Sequence, residues 1–228
     1  MSMSVTDLQT ILGVKPDGVF GAKSTDALFA HFSNPNATHF SEADKKAAAD
    51  RLGVSVGHIN ASITCESPRG SFDNKSRPVI LFERHKFAAA TTPPNRFNLS
   101  NPDLSGGPYG PGGYGPLSVQ WTKLAAACAL DPDAAFQACS WGAFQIMGGN
   151  ARFLGYASAF DMAVTMISGE AAHLEAYVRF IEKNGLKDKL RACVANDPDS
   201  CRPFVKAYNG PGYEQFDYHR KFARAIAS

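Results

Sequence analysis

In the stretch from Ile63 to Phe72, ITCESPRGSF, one carboxylate, Glu66, stands where an acid has little structural use. Val56, Ile59 and Ile63 recur at helical spacing, and Glu66 continues that apolar stripe by one more turn. An acid on that face is expected to be desolvated. Pro68 disfavours the helical conformation at Ser67, so the helix is expected to stop there, with Glu66 in a last turn whose macrodipole disfavours negative charge. Both effects push its pKa upward. A carboxylic acid that keeps its proton near neutral pH can give it to a leaving oxygen, which is the task of the general acid in glycoside cleavage. The competing use is a helix-end Glu that turns to water or pairs with Arg69.

Such chemistry needs a second group to prepare the attacking water or to face the acid. Glu83 ends the run RPVILFE, and Asp73 lies nearer in a polar turn; either is a candidate. A carboxyl separation of roughly 6.5 to 9.5 Å would indicate inversion and one of about 5 Å retention. Glu83 has a second possible use, orienting Arg84 or His85. His173 lacks a metal-type neighbour one turn away and reads as a core histidine, and no Cys or His pair has zinc-site spacing, so neither metal nor cofactor is expected.

The 228 residues are 44% hydrophobic and 19% charged, the make-up of an ordinary globular protein. A net charge of +2 is too weak to argue for nucleic acid. No apolar run reaches membrane-spanning length, and MSMSVTDLQT lacks the basic and apolar regions of a signal peptide, so synthesis in the cytoplasm without membrane insertion is expected. The five cysteines, Cys65, Cys128, Cys139, Cys193 and Cys201, read mainly as buried free thiols. Cys193 with Cys201, and Cys128 with Cys139, are the pairs that an oxidising compartment could join.

The elements that must position these groups are mostly helical. Leu8, Ile11 and Leu12 mark a first helix closed by Gly13, and Ser24 or Thr25 is placed to cap a second that carries Leu28 and Phe32. Ser33 to Thr38 is the boundary that separates a small module, residues 1–35, from a main domain, residues 38–228. Ser41 with Asp44 opens a helix to Leu52, Gly53 stops it, and Ser55 begins the helix that ends at Glu66. Val79 to Phe82 is a β-prone run. Thr91 to Pro116, rich in Gly and Pro, is expected to be irregular, with Tyr109 and Tyr114 either stacking on sugar rings or pinning the loop. Asp131 caps a helix with Pro132 in its first turn. Asp161 is expected to open one long helix running to Ile181, ended by Asn184-Gly185, and a last helical stretch is interrupted at Asn209 to Gly212.

The sequence LQTILGVKPDGVFGAKSTDALFAHF resembles the repeat of peptidoglycan-binding domains, in Leu8-Gln9, Asp17-Gly18, Phe20-Gly21 and Phe32. That resemblance implies wall binding through Asp17, Gly18, Phe20 and Gly21. The motifs ITCES, RPVILFERHKF, ACSWGAFQIMG and AYNGPGY, in this order, look like the N-acetylmuramidase domain of modular phage endolysins within the lysozyme-like wall enzymes. The resemblance spans about Phe40 to Ile226. It implies a mainly α, lysozyme-like α+β fold with a small β element near residues 77–83. It implies cleavage between N-acetylmuramic acid and N-acetylglucosamine of peptidoglycan by a monomer, with Glu66 as the catalytic acid. By the same match Ser140, Gln145, Tyr208, Asn209 and Tyr213 would contact the glycan, and the enzyme would act on the cell wall after release from the cytoplasm. One departure is the turn Ser67-Pro68-Arg69-Gly70, where the family has a Gly-rich turn. The motifs do not separate a hydrolase from a lytic transglycosylase; a non-catalytic wall-binding or phage tail module is the third expectation.

Overall fold

The computed structural model describes residues 2–67, 70–108 and 113–227. Pro68, Arg69 and Tyr109, each given a part in the sequence reading, lie outside the described residues. The chain forms two compact units: residues 1–37 with 72–168, and residues 38–71 with 169–228. Compactness therefore divides the chain differently from a split into 1–35 and 38–228.

In the first unit, Ser4 caps the helix Val5–Ile11 through a capping box with Asp7. The second helix, Ala22–His31, is entered at Gly21 rather than capped by Ser24 or Thr25. Ser24 is buried and has another use: the Gln9 amide donates to Ser24 Oγ, Asp17 Oδ1 and Val19 O, each at 3.1 Å. Gln9 Oε1 accepts from Gly18 N at 2.9 Å, so this one side chain pins the Asp17-Gly18 turn. Phe32, fully buried, meets the rings of Trp121, Phe136, Trp141 and Phe160 at 5.2 to 6.0 Å. The core of this unit is thus built jointly by residues 1–37 and 72–168.

The same unit holds one antiparallel sheet, β1 (Ile80–Phe82), β2 (Cys139–Trp141) and β3 (Ile146–Met147), in that spatial order. Ile80 pairs with Trp141 and Phe82 with Cys139; Ser140 pairs with Met147. The strand takes Ile80–Phe82 of the β-prone run and ends there because Glu83 already serves as N-cap of the helix Arg84–Ala90. Asp131 caps Pro132–Gln137, its carboxylate accepting from Ala134 N at 3.0 Å. Residues 91–108 and 113–116 carry no regular element; Lys123 Nζ and Gln120 Nε2 both donate to Tyr114 O, which ties down the end of the loop.

The long helix expected from Asp161 to Ile181 is interrupted. Ser158 caps Ala159–Thr165, a 3-10 turn follows at Met166–Ser168, and a new helix, Glu170–Lys183, begins after Gly169. Gly169 has φ +150, and a Cβ there would lie 2.2 Å from Thr38 Oγ1, so only glycine permits the close pairing with Thr38.

The second unit is built, among its described residues, on helices: Glu42–Leu52, Val56–Glu66, Glu170–Lys183, Lys187–Arg191, Pro198–Asn209 and Tyr218–Ile226, with a 3-10 turn at Pro211–Glu214. Ser41 and Asp44 form the expected capping box and Gly53 the expected left-handed stop. Arg51 bridges Glu175 at 2.9 Å and Glu182 at 2.6 Å, joining the first and third of these helices. The helices Val56–Glu66 and Tyr218–Ile226 pack closely enough that Gly57 lies against Ile226 O. All five cysteines are buried free thiols. Among the described residues no helix is long and apolar enough to cross a membrane.

Candidate active site

Glu66 is the last residue of Val56–Glu66, a helix that buries Ile59, Ala61, Ser62 and Cys65, with Ser62 and Ile59 one and two turns back on the face that carries Glu66. The side chain keeps partial exposure, yet its carboxyl is desolvated, and burial pushes its pKa up to about 7. Asn209 Nδ2 donates to Glu66 Oε1 at 2.9 Å. That bond favours the ionised form, and burial outweighs it. Asn209 is delivered by the last residue of Pro198–Asn209, which Gly210 terminates at φ +81. Asp197 starts that helix by accepting from Asp199 N and Ser200 N, and Pro198 fits its first turn.

Two phenols stand within the field of the same carboxyl. Tyr208 and Tyr177 are both pushed well above the usual phenol range, first by burial and also by the Glu66 charge. Their rings lie 5.7 Å apart, and Tyr208 also packs on Phe180 at 5.3 Å and Phe204 at 5.9 Å. Tyr177 Oη is 2.6 Å from Ser62 Oγ, which itself donates to His58 O at 2.9 Å, so the Ser62 oxygen accepts from the phenol. Burial, with a contribution from Glu66, raises the neighbouring Cys65 thiol to about 12 and keeps it protonated. Among the described residues, the groups these contacts place near Glu66 are an amide, two phenols and a thiol. Such surroundings let a carboxylic acid hold and release one proton near neutral pH.

The remaining candidates fall into different settings. Tyr213 is buried and its hydroxyl donates to Glu214 Oε1 at 2.9 Å, a side chain that also binds Arg202, so the phenol is occupied within its own turn. In the first unit, Ser140 Oγ donates to Gln145 Oε1 at 2.8 Å, and Gln145 Nε2 donates to Gly142 O at 2.8 Å. With Gln145 at φ +48, this side chain closes the β2–β3 turn. Asp73 is fully engaged: Oδ1 accepts from Lys75 N and Arg77 N, and Oδ2 from Arg77 Nε and Nη2 at 2.9 and 2.7 Å. It is committed to a turn, not presented as a base. Glu83 differs. No side chain among the described residues makes a short hydrogen bond to its carboxylate, and His85 Nε2 lies 3.5 Å from its Oε2.

Asp17 and Gly18 are held by Gln9, Gly21 enters the second helix, and Phe20 is half-buried. A cavity of about 250 Å³ beside them is lined in part by Gln9, Val14, Lys15, Asp17, Val19 and Lys23. The sequence reading missed Ser62 and Tyr177 as neighbours of Glu66. Tyr177 lies on an apolar helical stripe and reads there as core, and only the fold turns its hydroxyl to Ser62.

A helical body with one small three-stranded sheet and an acid desolvated at a helix end defines a mainly α, lysozyme-like fold. The chain belongs to the N-acetylmuramidase family, whose model matches residues 55–228. It is similar to the endolysin of Enterobacteria phage PRD1, with 34% identity over 93 residues, 40% of this chain and 60% of that protein's length. Its structure is similar to the crystal structure of the Burkholderia AP3 phage endolysin, with a TM-score of 0.74 and 28% identity, covering 100% of this chain and 97% of that one.

Proposed function

We propose that this chain is a peptidoglycan muramidase of the endolysin type that hydrolyses the bond between N-acetylmuramic acid and N-acetylglucosamine. The observation that carries the reading is the Glu66 carboxyl, held near pKa 7 by burial at a helix end and bonded by Asn209. Membership of the N-acetylmuramidase family and similarity to two phage endolysins support it. In this reading Glu66 protonates the glycosidic oxygen as the bond breaks, and Glu83 polarises the water that attacks the anomeric carbon. Tyr208 and Asn209 hydrogen-bond sugar hydroxyl and N-acetyl groups. The chemistry asks for no metal or cofactor.

Residues 38–228 would then carry the lysozyme-like catalytic region. Residues 1–35 would add affinity for the wall around Asp17, Gly18, Phe20 and Gly21, a reading supported by the cavity beside them. The protein would work as a monomer on the cell wall after release from the cytoplasm.

Mass spectrometry of muropeptides released from purified walls tests the reading. Reducing N-acetylmuramic acid ends, lost in Glu66→Gln, are expected. Ends of the 1,6-anhydro type would make the enzyme a transglycosylase, and full activity of Glu66→Gln would remove Glu66 from the chemistry.

A further inference from the structure

Glu83 sits at the N-cap of Arg84–Ala90 with no side-chain capping bond, so its carboxylate is not spent on the helix it precedes. Its backbone is fixed instead, N–H to Ala138 O at 3.0 Å and C=O accepting from Lys86 N and Phe87 N. Arg84, next in sequence, is turned elsewhere: Nη2 donates to Ser105 O at 3.0 Å and the guanidinium lies over Gly106. That leaves His85. Its Nε2 is 3.5 Å from Glu83 Oε2, while its Nδ1 is buried and has no hydrogen-bond partner among the described residues.

The asymmetry between the two ring nitrogens fixes where the proton sits. A buried N–H without an acceptor is rarer and more costly than a buried lone pair without a donor. The favoured form of the ring therefore leaves Nδ1 bare and carries the hydrogen on Nε2, the nitrogen that lies 3.5 Å from the carboxylate. Resting on the reading of Glu83 as the group that prepares water, we propose that His85 is the positioning residue of that carboxylate, its Nε2–H holding Glu83 Oε2 so that Oε1 is left for the attacking water.

The test uses the full chain and soluble, uncross-linked wall glycan, so that kcat and KM are separable. His85→Leu keeps the bulk of the ring without a donor and is expected to lower kcat on the order of tenfold with KM little changed, as loss of a productive geometry does. His85→Gln places an amide N–H near the position of Nε2 and is expected to recover most of the loss. In the Glu83→Gln background, where kcat is expected to fall by about a hundredfold or more, adding His85→Leu should cause little further loss, because the two residues act through one contact. Thermal unfolding of each variant checks that the fold is kept. Wild-type kcat in His85→Leu, or losses that multiply in the double variant, would overturn the positioning role while leaving Glu83 in place. Full activity of Glu83→Gln would instead remove Glu83 from the reaction, and the role of His85 with it.

Discussion

Asn209 Nδ2 donates to Glu66 Oε1 across 2.9 Å although the two residues are 143 positions apart in sequence. One amide thus offsets part of the desolvation that raises the Glu66 pKa. Replacing Asn209 with Leu removes a bond that favours the carboxylate, so the Glu66 pKa is expected to rise further above about 7. The alkaline limb of the pH–rate profile should move upward by a measurable fraction of a unit, with kcat reduced by about tenfold through lost orientation. An alkaline limb that stayed in place would show that the amide does not act on Glu66.

Burial of Glu66 also links pH to stability. Its folded-state pKa lies above the ordinary glutamate value of 4.5, at about 7, so the fold favours the protonated form. Stability from this group is fully present below about 4.5 and is lost as pH rises through 7. Glu66→Gln, which cannot ionise, should match the wild type in thermal unfolding at pH 4 and exceed it at pH 8, by up to about 3 kcal/mol. Equal melting temperatures at both pH values would contradict the desolvation described for this carboxyl.

Asp73 and Glu83 are the two sequence candidates for the second carboxylate, Glu83 the preferred one, and their surroundings differ. Asp73→Asn gives up the charged pair with Arg77 at 2.7 Å inside a half-buried turn. A loss of about 2 kcal/mol, or ~6 °C in melting temperature, is expected with kcat retained once the protein is folded. A folded Asp73→Asn protein with kcat down a hundredfold would return Asp73 to the chemistry.

Gly169 makes a purely structural prediction. Its φ of +150 and the approach of Thr38 to 2.2 Å from a notional Cβ leave no room for a side chain. Gly169→Ala is expected to destabilise by about 3 kcal/mol or more, read by denaturant unfolding. A near-neutral result would mean that the junction between Ser168 and Glu170 can re-form without the Thr38 pairing.

Local chemistry made much of this fold legible. Ser41 with Asp44, Gly53 and Asp131 each mark a helix boundary by a mechanism that acts within four residues, and each does so in the structure, while Ser55 stands at its boundary with its hydroxyl on the His58 ring. Glu66 was visible for the same reason, since its place on an apolar stripe is a local pattern. What was not legible depends on contacts distant in sequence. The break at Gly169 goes with its pairing to Thr38, and Ser24, inside the second helix, is bonded by Gln9 rather than capping. The β2–β3 hairpin hides in SWGAFQIM because its turn is closed by the Gln145 side chain rather than by a standard turn pair. Tyr177 shows no sign in sequence that its hydroxyl leaves the core stripe for Ser62.

The most direct test is a titration of the Glu66 side-chain carboxyl by carbon-13 NMR, assigned by the resonance that disappears in Glu66→Gln. A midpoint near 7, as burial at the end of its helix requires, is the expected result. A midpoint at or below 4.5 would mean an ordinary ionised glutamate, unable to act as the proton donor on which the proposed chemistry depends.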